Sequence, residues 1–213
     1  MKLTKTLIAL SNFYTMTAGL VAAPLDGYNI MIPEWEVEIS LGRSTVRLNG
    51  TIQEVHEALL KLNPSWNEHY MKEMPQESSE VTQPADSFTL EKRADFSNDK
   101  YLCRGRWAEC SASAASNGVH YLRFVQGWPT NGPGPGNCGR VSCSYKSAIR
   151  WCNDNASAKR LGGFNDIADG AQYILDKCTR NRWSGWQYGE FASGQAFHKD
   201  NWNVIVRYDD NSC

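Results

Sequence analysis

The stretch 164-FNDIADGAQYILDKC-178 carries the strongest structural signal in the chain. Its apolar residues recur at the spacing of one helical face, and they are Ile167, Ala171, Ile174, Leu175 and Cys178. Such spacing predicts an amphipathic helix, for which Asn165 or Asp166 is available as the N-cap. Cys178 falls on the buried stripe, so a disulfide there would join the helix to the element that it covers.

Two strands are predicted on either side of this helix. Residues 118–125 (GVHYLRFV) are rich in aromatic and β-branched side chains, and residues 201–208 (NWNVIVRY) alternate apolar and polar positions, as strands do. We expect the helical stripe to pack on a sheet that contains both strands. Trp202, Val204 and Val206 should face the helix, because their burial removes most of the available apolar area from water.

Two other stretches give weaker signals. Residues 144–155 fit a helix through Tyr145, Ala148, Ile149 and Cys152, and they fit a strand through Ile149 and Trp151, so both alternatives stay open. Residues 127–139 (GWPTNGPGPGNCG) contain five Gly and three Pro. That composition predicts a long exposed loop without regular structure.

The cysteines are confined to the second half of the chain. All seven lie after residue 100: Cys103, Cys110, Cys138, Cys143, Cys152, Cys178 and Cys213. In an oxidising secretory route, disulfides can supplement the modest core of a domain of ~120 residues. An odd count leaves one thiol over, or one bridge between molecules.

The first residues resemble a secretory signal. Lys2 and Lys5 precede an apolar run that ends in Ala22 and Ala23, and such a pattern predicts cleavage after one of these alanines. The alternative is a membrane anchor, but Ser11, Asn12 and Thr15 interrupt the run, and no span of ~20 apolar residues follows. We therefore expect a secreted, extracellular protein without membrane insertion.

The remaining chain divides at a dibasic pair. Residues 24–93 carry 6 Lys and Arg against 12 Asp and Glu, whereas residues 94–213 carry 14 against 11. Residues 73–91 have the composition of a disordered linker, and Lys92-Arg93 at its end is a site for kexin- or furin-type proteases. The predicted organisation is a signal peptide (1–23), a pro-domain (24–72), an acidic linker (73–93) and a mature cysteine-rich domain (94–213).

The pro-domain has structure of its own. Strands are predicted near residues 29–40 and 44–48, followed by a helix whose apolar face includes Ile52, Val55 and Leu59 and which stops at Asn63-Pro64. This β-β-α unit has two interpretations. It is either a solubilising spacer, or an intramolecular chaperone or mask that keeps the mature domain inert until cleavage.

Residues suited to catalysis or metal binding are sparse. No zinc-ligand spacing occurs, so neither a metal nor another cofactor is expected. The charge of the mature domain is too small to argue for nucleic acid. A small secreted hydrolase or ribonuclease remains an alternative function, and it would bring Glu109 or Glu190, His120 or His198, and an arginine into one cleft.

Aromatic residues are the candidate binding groups. Trp183, Trp186 and Tyr188 lie in a stretch rich in small and polar residues. Exposed aromatics of this kind stack on sugars or contact partner proteins, although a loop could also fold them back over the sheet. The sequons at Asn49 and Asn155 are candidate glycosylation sites in a secreted chain.

The order of these parts resembles the smut-fungus killer toxin family that blocks calcium channels, and its killer-toxin-like relatives among fungal secreted effectors. The resemblance covers residues 101–213. It lies in four features: Cys103-Arg104-Gly105 followed by Cys110, a cysteine-flanked middle strand near 148–153, the helix that ends at Cys178, and a last strand that closes on Cys213.

The resemblance implies an α+β fold, in which one or two helices cover one face of an antiparallel sheet and disulfides staple the layers. It also implies action by binding a target protein or cell surface and not by catalysis, and we expect the protein to be a monomer. It implies a bridge from Cys103 to Cys178 and another from Cys213 to Cys138 or Cys143. Cys110 would stay unpaired, because Thr179-Arg180-Asn181 replaces the family's second cysteine after the helix.

Overall fold

The computed structural model describes residues 27–40, 45–70, 94–210 and 213. The predicted signal peptide, the acidic linker and Lys92-Arg93 lie outside the described residues. The described helices are α1 (Ile52–Leu62), α2 (Trp66–Tyr70), α3 (Ala112–Phe124) and α4 (Phe164–Cys178). The described strands are β1 (Asn29–Met31), β2 (Glu34–Glu38), β3 (Thr45–Asn49), β4 (Lys100–Cys103), β5 (Cys110–Ser111), β6 (Gly127–Asn131), β7 (Asn137–Ser144), β8 (Ser147–Asn153), β9 (Lys159–Arg160), β10 (Arg180–Ser184), β11 (Gln187–Ala192), β12 (Gly194–His198) and β13 (Trp202–Tyr208).

These strands form three sheets. The central sheet has the order β1-β7-β8-β13-β12-β4, and it is antiparallel except where β1 joins β7 in parallel. A second sheet has the order β3-β2-β6-β9, and a third has the order β10-β11-β5. The predicted α+β, disulfide-stabilised architecture is therefore confirmed, with its strands distributed over three sheets.

Helix α4 packs as its spacing predicts. Ile167, Ala171, Ile174 and Cys178 are fully buried, and Trp202, Val204 and Val206 lie in the same apolar cluster. The approach is close, since a Cβ added to Gly170 would lie 2.7 Å from Val204 Cγ2. The N-cap is Gly163 and not Asn165 or Asp166, which both lie inside the helix.

The predicted strand at residues 118–125 is wrong, because these residues belong to α3. Ser111 caps this helix by accepting a hydrogen bond from Ala114 N. The buried stripe is Ala115, Gly118, Val119 and Leu122, which has helical spacing but consists half of small residues. Burial against the central sheet and α4 therefore overrides the strand propensity of the aromatic side chains.

The predicted loop at residues 127–139 is also wrong in part. Residues 127–131 form β6, and β7 begins at Asn137. Pro129 does not interrupt the pairing of β6 with β2, because its ring nitrogen and its carbonyl both lie on the other side of the strand. On that side the carbonyl accepts a hydrogen bond from Leu161 N, just after β9.

Residues 144–155, for which the sequence fits both a helix and a strand, contain β8, and every residue of that strand is buried.

The face of the central sheet opposite the helices carries buried polar side chains. Arg150 is completely buried and donates to the Asp209 carboxylate at 2.5 Å. Gln195 donates to Asn203 Oδ1 at 2.8 Å, and Asn203 donates to Asp154 Oδ2 at 2.7 Å. These bonds satisfy part of the hydrogen-bonding capacity of the buried polar groups, which lowers the cost of burying them on the face without helices.

Residues 27–70, which we call the leading segment, contain β1, β2 and β3 followed by α1 and α2, so the first predicted strand is divided into two. Their apolar side chains join the core of the chain after residue 94. Six of them are at most 2% exposed: Trp35, Val37, Ile52, Val55, Leu59 and Trp66. Burial of a large apolar side chain contributes about 1.5 to 3 kcal/mol, so this segment supplies a large share of the core.

Three disulfides hold the second half of the chain. The structure pairs Cys103 with Cys178, Cys138 with Cys152, and Cys143 with Cys213. The first is the bridge that the resemblance implies, and Cys213 bonds to one of its two implied partners. Cys110 is a free, buried thiol, whose pKa burial raises to about 11.

We expect Cys103→Ser or Cys178→Ser to reduce the yield of folded protein strongly. The bridge closes a loop with a sequence separation of 75. A loop of that size gives a chain-entropy stabilisation of about 4.5 kcal/mol, a large part of the 5 to 15 kcal/mol typical of a domain. The yield in a secreting host and the midpoint of denaturant unfolding measure the effect.

Cys110→Ser is the matched control and should have a mild effect. At pH 8 a thiol with a pKa of about 11 is ionised in only about one molecule in a thousand. Cys110 should therefore resist alkylation in the native protein and react after denaturation. Native labelling at Cys103 or Cys178 would contradict the assignment.

Candidate binding hairpin

Strands β10 and β11 form a hairpin whose two faces differ. Arg180 pairs with Phe191 and Arg182 with Gly189, so these residues share one face. Trp183 pairs with Tyr188 on the other face. The hairpin joins the rest of the molecule through β5, where Phe191 pairs with Ser111 and Ala192 with Cys110. One face therefore meets the body of the protein, and the other face points away from it.

The aromatic tip of this hairpin comprises Trp183, Trp186 and Tyr188. Trp186 is fully exposed, Trp183 is 67% exposed and Tyr188 is 58% exposed. The Trp183 and Tyr188 rings contact each other across the hairpin at 5.3 Å. Gly185 has φ +61° and occupies the first position of the two-residue turn, as in a type II′ hairpin. The turn thus holds Trp186 in solvent and does not fold it over a sheet.

The base of the hairpin is held by the Glu109 clamp, which comprises Glu109, Arg180 and Arg182. Arg180 donates from Nε and Nη2 to the two Glu109 oxygens, both at 2.8 Å, and Arg182 Nε lies 2.7 Å from Glu109 Oε2. The hydrogen bonds from Arg180 hold the pKa of Glu109 below its ordinary value, and the charge of Arg182 lowers it further. Arg182 also lies over the Phe191 ring at 4.4 Å.

An open groove of about 460 Å³ lies beside the clamp. Its lining residues include Arg104, Trp107, Glu109, Arg180, Arg182 and Tyr208. Three arginines against one glutamate make the groove cationic. Because Glu109 is held ionised by two arginines, it is poorly suited to donate or accept protons at neutral pH.

The structure does not bring the predicted acid-base residues together. His198 lies against Phe96 and stacks on Trp202 at 4.7 Å, and His120 is on α3 beside Phe124. Neither histidine lines the groove that contains Glu109. Glu190 is exposed and lies on the face of the hairpin opposite Arg180.

The first residue after the dibasic pair has a defined partner. Ala94 N donates to Asp166 Oδ1 at 3.0 Å, and Gly162 N donates to Asp166 Oδ2 at 3.0 Å. Half-burial raises the pKa of Asp166, while these backbone N–H groups oppose the rise. Cleavage after Arg93 would convert this amide nitrogen into an ammonium group beside a carboxylate.

The two sequons differ in their surroundings. Asn49 is exposed at the end of β3. Asn155 is half-buried, and its Nδ2 lies 2.9 to 3.1 Å from Asn153 Oδ1, Asp200 O and Asn201 O. Because a glycan replaces one hydrogen of Nδ2, modification of Asn155 would disturb this set of bonds. Asn49 therefore fits glycosylation better.

Sequence reasoning identified the aromatic tip but missed the clamp and the partner of Ala94. The signal for the clamp was present, since Arg180 and Arg182 are two residues apart and so share one face of a strand. Their partner Glu109 lies 71 positions from Arg180, and no local pattern connects the two. The sequence pattern around Asp166 indicates only a candidate helix cap, and that residue lies inside α4.

Within the residues that the structure describes, no group of three or more His, Cys, Asp or Glu could hold a metal ion. The same part of the chain has no helix with the length and apolarity needed to cross a membrane.

Comparison with known proteins gave no matching family model, no matching curated protein and no matching solved structure. The likeness to killer toxins therefore rests on the motifs quoted from the sequence.

We expect the Glu109 clamp to make stability pH-dependent. The folded pKa of Glu109 lies below its unfolded value, so its stabilisation is fully present above the unfolded pKa and is lost as the pH falls through the folded pKa. Glu109→Gln should destabilise the protein by about 1 kcal/mol at neutral pH. The difference from the native chain should shrink as the pH falls below the ordinary pKa of a glutamate, which is about 4.3.

Thermal unfolding over this pH range checks the clamp, with Glu190→Gln as the matched control on the outer face of the same hairpin. That control should leave the neutral-pH stability unchanged. An equal loss of stability for both variants at neutral pH would show that the Glu109 clamp does not hold the hairpin.

Proposed function

We propose that this chain is a secreted, killer-toxin-like fungal effector or toxin that is cleaved by a kexin-type protease after Arg93. In its processed form, the aromatic tip of the β10–β11 hairpin binds a target protein or cell surface. The single observation that carries the proposal is the exposure of Trp183, Trp186 and Tyr188 at the tip of one hairpin. The three disulfides are compatible with an oxidising secretory compartment.

The tip has the physical properties of a binding hot spot. Isolated apolar side chains on a surface are common, whereas three large aromatics within six residues form a patch. The hairpin is already ordered by β5 and by the Glu109 clamp, so binding would cost little conformational entropy. Tryptophan and tyrosine are enriched among the residues that dominate binding energy.

Processing fits the surroundings of Ala94. A new N-terminus would place a positive charge 3.0 Å from Asp166 Oδ1 without any movement of the chain. In the uncut chain, the same carboxylate is half-buried, and the backbone N–H groups of Ala94 and Gly162 that donate to it are neutral. Cleavage would therefore strengthen an existing contact and leave the fold around it intact.

We expect Trp186→Ala to weaken target binding at least about thirtyfold, as loss of a hot-spot residue does, with no change in thermal stability. Labelled processed protein on susceptible fungal or plant cells measures the binding. Tyr145→Ala is the matched control, because Tyr145 is an exposed aromatic (83%) in the turn between β7 and β8. Unchanged binding by a Trp183→Ala, Trp186→Ala double variant would refute the proposal.

We expect Asp166→Asn to destabilise the processed form more than the uncut chain, by about 1 kcal/mol after solvent screening of the half-exposed pair. The reason is that only the processed form presents an ammonium group to this position. Thermal unfolding before and after cleavage gives the comparison. Asp210→Asn, which removes an exposed carboxylate paired with Lys146, should affect both forms equally, and the same behaviour in Asp166→Asn would remove this support.

A further inference from the structure

We infer that the leading segment stays bound after cleavage, so that the processed protein is a noncovalent complex of two chains. The inference rests on the processing step of the proposed function, but it concerns a different surface. It replaces the simpler expectation that residues 24–93 are discarded to leave a lone cysteine-rich domain. The surface in question is formed by β6, β7, α3 and the beginning of α4, and its occupant is the leading segment.

The first support is the continuity of two sheets across the cut. Strand β2 pairs with β6 over Glu34–Val37 and residues 127–130, and β1 pairs with β7 in parallel. Loss of the leading segment would expose the backbone edges of β6 and β7 at the same time. Exposed edges with unpaired N–H and C=O groups are costly and prone to aggregation.

The second support is a shared core. The Trp35 and Phe164 rings stack with their centroids 4.5 Å apart, and both side chains are buried. Ile52, Val55 and Leu59 of α1 belong to the same apolar cluster as α3 and α4. Removal of residues 27–70 would therefore uncover the interior of the remaining domain.

The third support comes from glycines in the part of the chain after the cut. A Cβ at Gly139 would lie 2.7 Å from Met31 Sδ and 2.8 Å from Pro33 Cγ. A Cβ at Gly127, where φ is +143°, would collide with the Glu36 carbonyl oxygen. Both positions have only enough room for glycine because the leading segment occupies the adjacent space. The mature part is thus shaped to receive this segment.

Polar contacts give the interface specificity. Gln53 Nε2 donates to Ser142 Oγ at 2.8 Å, and Cys143 N donates to Gln53 Oε1 at 3.1 Å. On the other face of the central sheet, Gln195 Nε2 donates to Tyr28 Oη at 3.1 Å. These bonds join the two parts at sites on opposite faces of one sheet. The net charges of the two parts also have opposite signs.

Retention is compatible with target binding. The exposures of Trp183, Trp186 and Tyr188 are those of the chain with the leading segment in place, so the segment does not cover the aromatic tip. Residues 24–93 contain no cysteine, and the association would have no covalent link. The leading segment would then be a structural subunit of the processed protein and not a mask.

The test is to cut the purified chain of residues 24–213 and follow both fragments. We expect native size-exclusion chromatography to give one peak that contains both, and SDS electrophoresis without reductant to separate them. A parallel chain carries the recognition sequence of a second site-specific protease in place of residues 83–88. This parallel cut tests whether the leading segment stays bound even if a kexin-type protease does not cleave after Arg93. A lack of cleavage there would contradict only the proposed processing step.

Two peaks after native chromatography, with residues 94–213 still folded, would overturn the inference.

Gln53→Ala removes two interface hydrogen bonds and should raise the dissociation rate of the fragments at least about tenfold, since buried unpaired groups remain. Trp35→Ala should have a larger effect. Ile32→Ala, at a position 71% exposed, is the control and should leave the rate unchanged. Trp186→Ala should also leave it unchanged, which separates this test from that of target binding.

Discussion

The stacking of Trp35 on Phe164 is the contact on which the arrangement of the protein depends. Trp35 lies within β2, and Phe164 is the first residue of α4. Helix α4 packs on strands β4, β12 and β13 of the central sheet. It ends at Cys178, which is bonded to Cys103 on the edge strand β4. A ring from the leading segment therefore fixes the start of α4, and a disulfide fixes its end.

Those elements whose period is marked by large apolar residues could be predicted from the sequence. Helix α4, strand β13 and helix α1 of the leading segment belong to this class. Helix α3 could not, because the stripe that it buries includes Ala115 and Gly118, which carry little apolar signal. Strand β6 depends on pairing with β2, which lies about 90 residues earlier in the chain, so glycine and proline content alone gave the wrong answer.

Only the residue types of the candidate site could be predicted from the sequence, and not their arrangement. The aromatic residues were evident, but their orientation depends on which face of the hairpin meets β5 and the Glu109 clamp. That choice is set by Arg180 and Arg182, which turn one face towards a distant carboxylate. The sequence also concealed the unity of the core, since the cysteine distribution and the charge boundary both suggested two independent parts.

If the chain is cleaved after Arg93 as proposed, the hydrogen bond between Ala94 N and Asp166 would also limit how far the new end of the chain can be shortened. An aminopeptidase that removed Ala94 would move the terminal nitrogen to Asp95, about 3.8 Å further along the chain. Asp166 would then lose the hydrogen bond from Ala94 N and keep the one from Gly162 N. Ala94 is only half-exposed at this position, which shields it from such an enzyme. The contact would thus give the proposed processed chain a defined first residue, and in a sample with a ragged N-terminus the terminal ammonium group would lie at different distances from Asp166.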